Sequence, residues 1–160
     1  MYKYFIKELF CSRGGTSLEQ YLSNEGEYNF VSIGNYKNNC YFDDGKRILY
    51  NDKTAKYILN ENDICMVLND KTKNGNIIGS SILIDENDKY IYNQRTQKLV
   101  CTDKVYPLYA YYLLNSPKMR FKILSLARGG TQIYVNYKDI ENIKLCIHDL
   151  SIQNKIGSFP

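Results

Sequence analysis

Apolar and polar positions alternate in short runs along the first two thirds of the chain, and this pattern predicts a sheet-rich body. The runs are rich in β-branched and aromatic residues, as is typical of strands. Turn signals such as DDG at 43–45 and NDKTKNGN at 69–76 separate them. The predicted strands are 28–33, 46–50, 56–59, 63–68, 77–84 and 89–102, followed by a last one at 142–147.

Helical spacing replaces this alternation in a few places. The stretch SLEQYLS at 17–23 predicts a short helix, and a capping box can form between Ser17 and Gln20 or between Thr16 and Glu19. From Tyr106 onward the chain predicts larger helices.

PLYAYYLLN at 107–115 begins with proline, which suits the first turn of a helix. Ser116 and Pro117 then predict the N-cap and first residue of another helix, which Gly129 ends at its C′ position. A further helix is predicted to begin near Leu150.

Length and composition are those of one globular domain. The chain has 160 residues and a formal net charge of +4, which permits a nucleic-acid partner without demanding one. Its five cysteines are scattered and form no CxxC pair, so neither a zinc ribbon nor a redox motif is supported. No signal peptide or long apolar stretch appears, so we expect a cytoplasmic protein with no membrane association.

The sequence offers little material for catalysis. His148 is the single histidine, which argues against His-based triads and metal sites, and it is predicted to end a strand. Glu141 and Lys144 are three residues apart, whereas nuclease motifs need these groups on one strand face. There is no P-loop and no proline-rich methyltransferase motif. We therefore predict a protein that is not an enzyme and holds no metal or cofactor of its own.

Several loops instead carry side chains suited to DNA. Arginine can bind guanine through two hydrogen bonds, asparagine and glutamine can bind adenine, and lysine neutralises phosphate. The segment RGGT occurs twice, at 13–16 and 128–131. Any one of these loops alone is more often simply solvent-facing, and it is their number that favours DNA binding. The candidate DNA-binding residues are Arg13, Thr16, Lys37, Asn38, Asn39, Lys46, Arg47, Lys71, Lys73, Asn74, Asn76, Arg95, Gln97, Arg128, Thr131, Gln132 and Tyr134.

One candidate strand allows a sharper prediction. If YNQRTQK at 92–98 is a regular strand, Asn93, Arg95 and Gln97 lie on one face. Arginine between two amides could bind guanine and adenine edges. The alternative is that Arg95 is merely solvated.

An ordered series of stretches resembles the target-recognition domain of a type I restriction-modification specificity subunit. The likeness covers nearly the whole chain, although each motif alone has low specificity. Asn29 stands where the family has proline, Asn62 replaces a glycine, and His148-Asp149 replaces a proline pair. The matching stretches are RGGTSLEQYLSNEGEYNFVSIGNY (13–36), LNENDICMV (59–67), NIIGSSILI (76–84), YNQRTQKLV (92–100), YPLYAYYLLNS (106–116) and GGTQIYVNYKDIENIKLCIHDLSIQNKI (129–156).

This resemblance implies an α+β fold: a single domain with a twisted mixed or antiparallel β-sheet body, a few helices and the start of a spacer helix. The expected organisation is a DNA target-recognition domain at 1–149 followed by part of that helix at 150–160. The implied function is non-catalytic recognition of one half of a bipartite DNA target. Methyltransferase subunits, and through them restriction subunits, are the implied partners and would bring S-adenosylmethionine, ATP and magnesium.

The residues leave three alternatives open. The chain could be the recognition part of a single-chain restriction-modification enzyme, a small enzyme with an unfamiliar site, or a protein-interaction module. The positive net charge argues against an acidic DNA mimic.

The segment from Leu150 is predicted to bind a partner. Ile152, Ile156 and Phe159 form an apolar stripe at helical spacing. A short helix cannot bury such a stripe alone, so it is expected to pack on another chain, possible self-association included.

Overall fold

A computed structural model describes residues 1–157 as an α+β body. Its helices are α1 (Ile6–Leu9), α2 (Pro107–Asn115), α3 (Pro117–Leu124), α4 (Tyr137–Glu141) and α5 (Leu150–Gly157), with 3-10 turns at Glu19–Tyr21, Ile33–Asn35 and Thr54–Tyr57. Its strands are β1 (Tyr2–Phe5), β2 (Phe10–Gly14), β3 (Tyr28–Val31), β4 (Tyr36–Lys37), β5 (Cys40–Tyr41), β6 (Arg47–Ile48), β7 (Ile58–Leu59), β8 (Ile64–Val67), β9 (Asn69–Asp70), β10 (Ser81–Leu83), β11 (Tyr90–Tyr92), β12 (Thr96–Cys101), β13 (Ile133–Tyr134) and β14 (Lys144–Ile147).

Two four-stranded sheets form the centre of the molecule, and the predicted fold class is confirmed. The first sheet has the order β10-β8-β12-β2 and is antiparallel throughout. The second sheet has the order β6-β3-β11-β7 and contains one parallel pair, β3 with β11. Three two-stranded pairs, β1-β14, β9-β13 and β4-β5, lie around them.

The layering of these sheets can be read from strand β8. Ile64 and Met66 belong to the apolar cluster that contains the helical residues, whereas Cys65 and Val67 belong to a cluster shared with the second sheet. Because successive strand residues point to opposite faces, the first sheet lies between the helices and the second sheet. A strand buried on both faces has no polar alternation, which explains the continuous apolar run ICMV.

Helix α3 begins as its sequence predicts. Ser116 has extended backbone angles, and its Oγ accepts a hydrogen bond of 3.3 Å from the backbone N–H of Met119. Pro117 occupies the first helical position, where its missing N–H is not needed. Met119 and Ile123 then point into the main core.

The predicted long strand at 89–102 is broken, and its alternation is lost. Strands β11 and β12 belong to different sheets and are joined by a turn at 93–95. Arg95 has a φ of +67°, which no regular strand residue adopts. Asn93, Arg95 and Gln97 therefore do not share a strand face, and the prediction of one regular strand that presents all three is wrong.

Two other local predictions also fail. Residues 17–23 form only the turn at Glu19–Tyr21; Leu18 is its N-cap and makes no side-chain cap. Helix α3 ends at Leu124, so Gly129 is not its C′ residue. Gly129 instead opens a hairpin turn between Arg128 and Tyr134, with a φ of +106° and no room for a side chain beside the Gln132 carbonyl.

Helix α5 is fastened to the body by one buried amide. Gln153 Oε1 accepts a 3.0 Å hydrogen bond from the Tyr106 N–H, and its Nε2 donates to the carbonyls of Lys104 and His148. Gly157 lies against Leu108 of α2. Residues 150–157 therefore pack against the body of the domain. Within residues 1–157, no helix has the length and apolar character that crossing a membrane requires.

Candidate nucleic-acid interface

Four chain segments that carry candidate residues meet at one end of the sheets. The Gly15 N–H donates to the Thr96 carbonyl at 3.1 Å, and the Leu68 N–H donates to the Arg95 carbonyl at 2.9 Å. The Val135 N–H in turn donates to Leu68 at 2.9 Å. Segments 13–16, 93–97, 68–76 and 128–135 are thus held side by side by backbone hydrogen bonds.

An open cleft of about 260 Å³, named the central cleft below, is lined by residues of two of these segments, 93–97 and 68–76, and by residues of 19–34 and 44–46. Three predicted residues, Lys46, Lys71 and Arg95, line it together although they are far apart in sequence. Sequence reasoning missed the other lining groups, since nothing local marks them as neighbours. These other groups are Glu19, Leu22, Phe30, Ser32, Ile33, Gly34, Asp44, Asn93 and Gln94.

The central cleft is shaped by a network around Glu19. Asn93 Nδ2 donates to Glu19 Oε1 at 2.8 Å, and Ser17 Oγ donates to Oε2 at 2.7 Å. Asn93 Oδ1 also accepts from the buried Leu18 N–H. Partial burial alone would raise the pKa of Glu19, but these hydrogen bonds and a longer one from Gln94 outweigh it and lower the pKa. Glu19 is therefore a fixed, ionised acceptor.

Arg95 and two lysines are cationic side chains near the central cleft that have no partner among residues 1–157. Within residues 1–157, the side chains of Arg95, Lys71 and Lys73 make no hydrogen bond, ion pair or ring contact, and all three are exposed. Exposed cations of this kind retain their full capacity for phosphates or base edges.

Arg47 and Lys46 are already engaged with carboxylates. Both Arg47 Nη atoms donate to Asp43, at 2.9 and 3.0 Å. Hydrogen bonds from Arg47 lower the pKa of Asp43 to about 2. Lys46 lies 3.9 Å from Asp44, a longer contact made by a more exposed cation. Lys46 can exchange this partner for phosphate far more readily than Arg47, because a bidentate arginine pair is the stronger of the two.

The asparagines of the 35–47 segment have a backbone explanation. Asn38 and Asn39 have φ values of +52° and +60° and join β4 to β5 in a two-residue hairpin, where asparagine is favoured. Asn39 Oδ1 accepts hydrogen bonds from Ser80 and Arg120. Asn39 is thus occupied within the fold, whereas Asn38 remains exposed. Lys37 lies 5.4 Å above the ring of Phe42.

Asn74 and Asn76 shape the 69–76 loop. Asn74 Oδ1 accepts from the hydroxyl of Thr72 and from the Asn76 N–H, in the manner of a turn-forming asparagine. The Asn76 carbonyl accepts from Arg120 Nη2 at 2.8 Å. These contacts hold Lys71 and Lys73 outward on a formed loop.

The two RGGT segments have different surroundings. Arg13 donates to the Lys56 carbonyl and lies 4.8 Å from the Tyr57 ring, and Thr16 lines a neighbouring cleft of about 280 Å³. Gly15 approaches the Asn93 carbonyl so closely that a side chain would clash there.

In the second RGGT segment, Arg128 pairs with Asp139 at 3.1 Å. Thr131 and Gln132 are exposed at the hairpin tip, and Tyr134 pairs with Asn69. Neither segment contributes a lining residue to the central cleft, although the Gly15 N–H bonds to Thr96 in the segment beside it. Gln97, in contrast, is buried in β12 and faces Gly14.

The predicted partner-binding stripe is divided. Ile156 packs on the main core, and Ile152 is exposed. Phe159 lies outside the described residues.

The remaining groups considered for chemistry are separated. Glu141 ends α4 while Lys144 begins β14, so they do not share a strand. His148 follows β14, and its Nδ1 lies 2.9 Å from the hydroxyl of Tyr109. Among residues 1–157, no three His, Cys, Asp or Glu side chains are grouped to hold a metal ion.

Solved structures share this fold. The S subunit of a type I restriction-modification system from M. genitalium superposes with a TM-score of 0.64 at 21% identity, covering 89% of this chain and 33% of that one. The HsdS subunit from Thermoanaerobacter tengcongensis gives 0.68 at 13% identity, covering 98% and 35%. The type IIG restriction endonuclease BpuSI gives 0.69 at 8% identity, covering 97% and 26%.

The chain thus spans about one third of the length of those two subunits. A sequence search found no match among the curated proteins. The profile of the family described as "Type I restriction modification DNA specificity domain", however, matches residues 1–159. The chain belongs to the family of type I restriction modification DNA specificity domains.

Proposed function

We propose that this chain recognises one half of a bipartite DNA target for a type I restriction-modification complex. The central cleft carries the proposal, because it brings Lys46, Lys71 and Arg95 together from three separate loops. Two of these cations, Lys71 and Arg95, have no partner within residues 1–157. Loops held on a rigid pair of sheets are a common arrangement for recognition sites.

The residues of the central cleft and of the neighbouring loops have different roles in this proposal. Arg95 projects from a turn and is the base reader, with Gln94 beside it as a second donor and acceptor. Lys71, Lys73 and Lys46 bind phosphates. Thr131, Gln132 and Arg128 extend the same surface along the hairpin tip.

The proposed partners are methyltransferase subunits, which would carry out the chemistry. The family to which the chain belongs supports this assignment, and the HsdS subunit of T. tengcongensis shares the fold. Helix α5 is the proposed route to a second chain, because Ile152 and Leu150 remain about 40% exposed on it.

The direct test is selection of duplex DNA from a randomised pool with the purified chain. Enrichment of a short motif supports sequence recognition. The same selection with Lys71→Ala and Arg95→Ala together is expected to enrich no motif. Lys53→Ala with Lys138→Ala is the matched control, since both are exposed lysines outside the central cleft. Recovery of random sequence by the unmodified chain would contradict the proposal.

A single-chain restriction-modification enzyme is the second candidate, favoured by the similarity to BpuSI. Both candidates assign the same DNA-reading role to the residues of the central cleft. The length of the protein made from the gene in its source cells distinguishes them, because the second candidate requires catalytic domains on the same polypeptide.

A further inference from the structure

A second cationic surface lies away from the central cleft. Lys118 and Lys122 of α3 and Lys144 of β14 line one cleft of about 240 Å³, named the lysine cleft here. Apolar side chains complete its lining, and none of the residues that line it within 1–157 is Asp or Glu. The other lining residues are Met1, Leu113, Ser116, Met119, Leu145 and Cys146.

These three ammonium groups are not neutralised by the fold. Within residues 1–157, none of them makes an ion pair; Lys144 contacts only the ring of Phe5, at 5.6 Å. The surrounding sequence adds to this excess of positive charge, because residues 104–138 contain six basic residues and no acidic one. Like charges gathered without counter-charges repel each other, so this cleft is poised for an anionic partner.

The geometry of α3 separates the lysine cleft from the proposed DNA surface. Arg120 donates to the Asn76 and Ile78 carbonyls, and Leu124 lies next to Gly75, so this face of α3 packs on the 69–79 loop. Lys118 and Lys122 each lie two positions away from these residues, which is about 200° around a helix. They therefore point away from the loop that carries Lys71 and Lys73.

The lining chemistry favours protein over nucleic acid. DNA backbones are bound through many polar donors, whereas this cleft has an apolar floor formed by side chains such as Leu113 and Met119. Lysine stems can cover such a floor while their ammonium groups stay at the rim. An apolar anchor flanked by carboxylates matches both parts of the cleft.

We infer that the lysine cleft docks an acidic segment of a partner protein, in which an apolar side chain fills the floor and Asp or Glu side chains pair with Lys118, Lys122 and Lys144. This interaction is independent of DNA recognition, since the two surfaces lie on different sides of α3. It provides a way to hold the domain against another subunit without covering the central cleft.

Selection from a displayed library of random peptides tests the inference. Peptides with Asp or Glu around an apolar residue are expected to be enriched, and their synthetic versions should bind the chain. Lys118→Glu combined with Lys122→Glu should lower their affinity at least about ten-fold, which corresponds to about 1.4 kcal/mol. Lys53→Glu with Lys138→Glu, a matched change of charge elsewhere, should leave the affinity unchanged.

Several results would overturn the inference. The inference fails if the enriched peptides lack acidic residues or if no peptide binds the lysine cleft. It also fails if the Lys118→Glu/Lys122→Glu variant binds the peptides with equal affinity while its thermal unfolding matches that of the unmodified chain. If added duplex DNA protects Lys118 and Lys122 from an acylating reagent, the lysine cleft is a DNA-binding surface instead. Failure of DNA selection leaves these outcomes untouched, so the two proposals are tested separately.

Discussion

Asn93 and Glu19, separated by 74 residues in sequence, are joined by a 2.8 Å hydrogen bond from the Asn93 side-chain amide to the Glu19 carboxylate. Asn93 is buried and also satisfies the Leu18 N–H. This one side chain therefore fixes the wall of the central cleft, because it ties the turn at 93–95 to the amino-terminal loop. It is a structural residue beside a proposed reading residue.

The first prediction concerns that side chain. Asn93→Ala leaves the Leu18 N–H without its acceptor and removes a donor to Glu19, so the free energy of unfolding should fall by about 1–3 kcal/mol. Urea denaturation measures the change. Asn24→Ala, an exposed asparagine in the same part of the fold, should alter it by less than about 0.5 kcal/mol. Equal effects of the two substitutions would contradict the role of Asn93.

The second prediction separates base reading from phosphate binding at Arg95. Arg95→Ala should cost about 1–3 kcal/mol of binding free energy and relax the preference at one base pair. The measurement is DNA selection with the variant, or methylation-site sequencing in cells that carry it within a full complex. If the motif stays intact while activity remains high, Arg95 is not a base reader. The exposed tip at 129–132 is then the better candidate.

The third prediction is electrostatic. If the chain neutralises about 4–5 phosphates, the logarithm of affinity should fall with the logarithm of salt concentration at a slope of about −4. Lys73→Ala should weaken all sequences alike and reduce the slope by about one unit, since Lys73 is unpaired within residues 1–157. Fluorescence anisotropy across a salt series measures both. An affinity indifferent to salt would refute DNA binding.

The fourth prediction tests the burial of the cysteines. Burial raises the pKa of Cys65 and of Cys101 to about 12, whereas Cys11, Cys40 and Cys146 are exposed. Because the thiolate is the reactive form, brief alkylation near pH 8 should label the three exposed residues and spare the other two. Mass spectrometry after labelling locates the sites. Urea-unfolded protein should show all five labelled, and labelling of Cys65 as fast as Cys11 in the folded chain would contradict the packing.

The fifth prediction concerns helix α5. Ile152→Asp should reduce self-association or partner binding of the chain, because it places a charge on the exposed apolar side of α5. Light scattering compares the variant with the unmodified chain. The domain should stay folded, since Ile152 is about 40% exposed. Equal association of both chains would argue against a partner-binding role for this helix.

Local patterns in the sequence were sufficient to predict many of the helices and strands. Ser116 followed by Pro117 predicts the start of α3, and the apolar run at 63–68 contains strand β8. These elements depend on the restricted backbone of proline and on side chains close together in sequence, so local patterns are enough to predict them. The basic and amide side chains of the loops also indicated DNA binding, and the chain does belong to a DNA specificity domain family.

The tertiary structure decided features that local sequence patterns do not encode. The run at 89–102 predicts one strand, yet β11 and β12 enter different sheets because Arg95 adopts a left-handed turn that local sequence does not demand. Asn39 and Arg47 are residue types that suit DNA binding. Within the fold, however, Asn39 is bound to Arg120 and Arg47 is bound to Asp43. Sequence by itself thus determined the residue types and most elements. The folded chain decided which cations are left without partners, since hydrogen bonds between distant segments cannot be read from either segment alone.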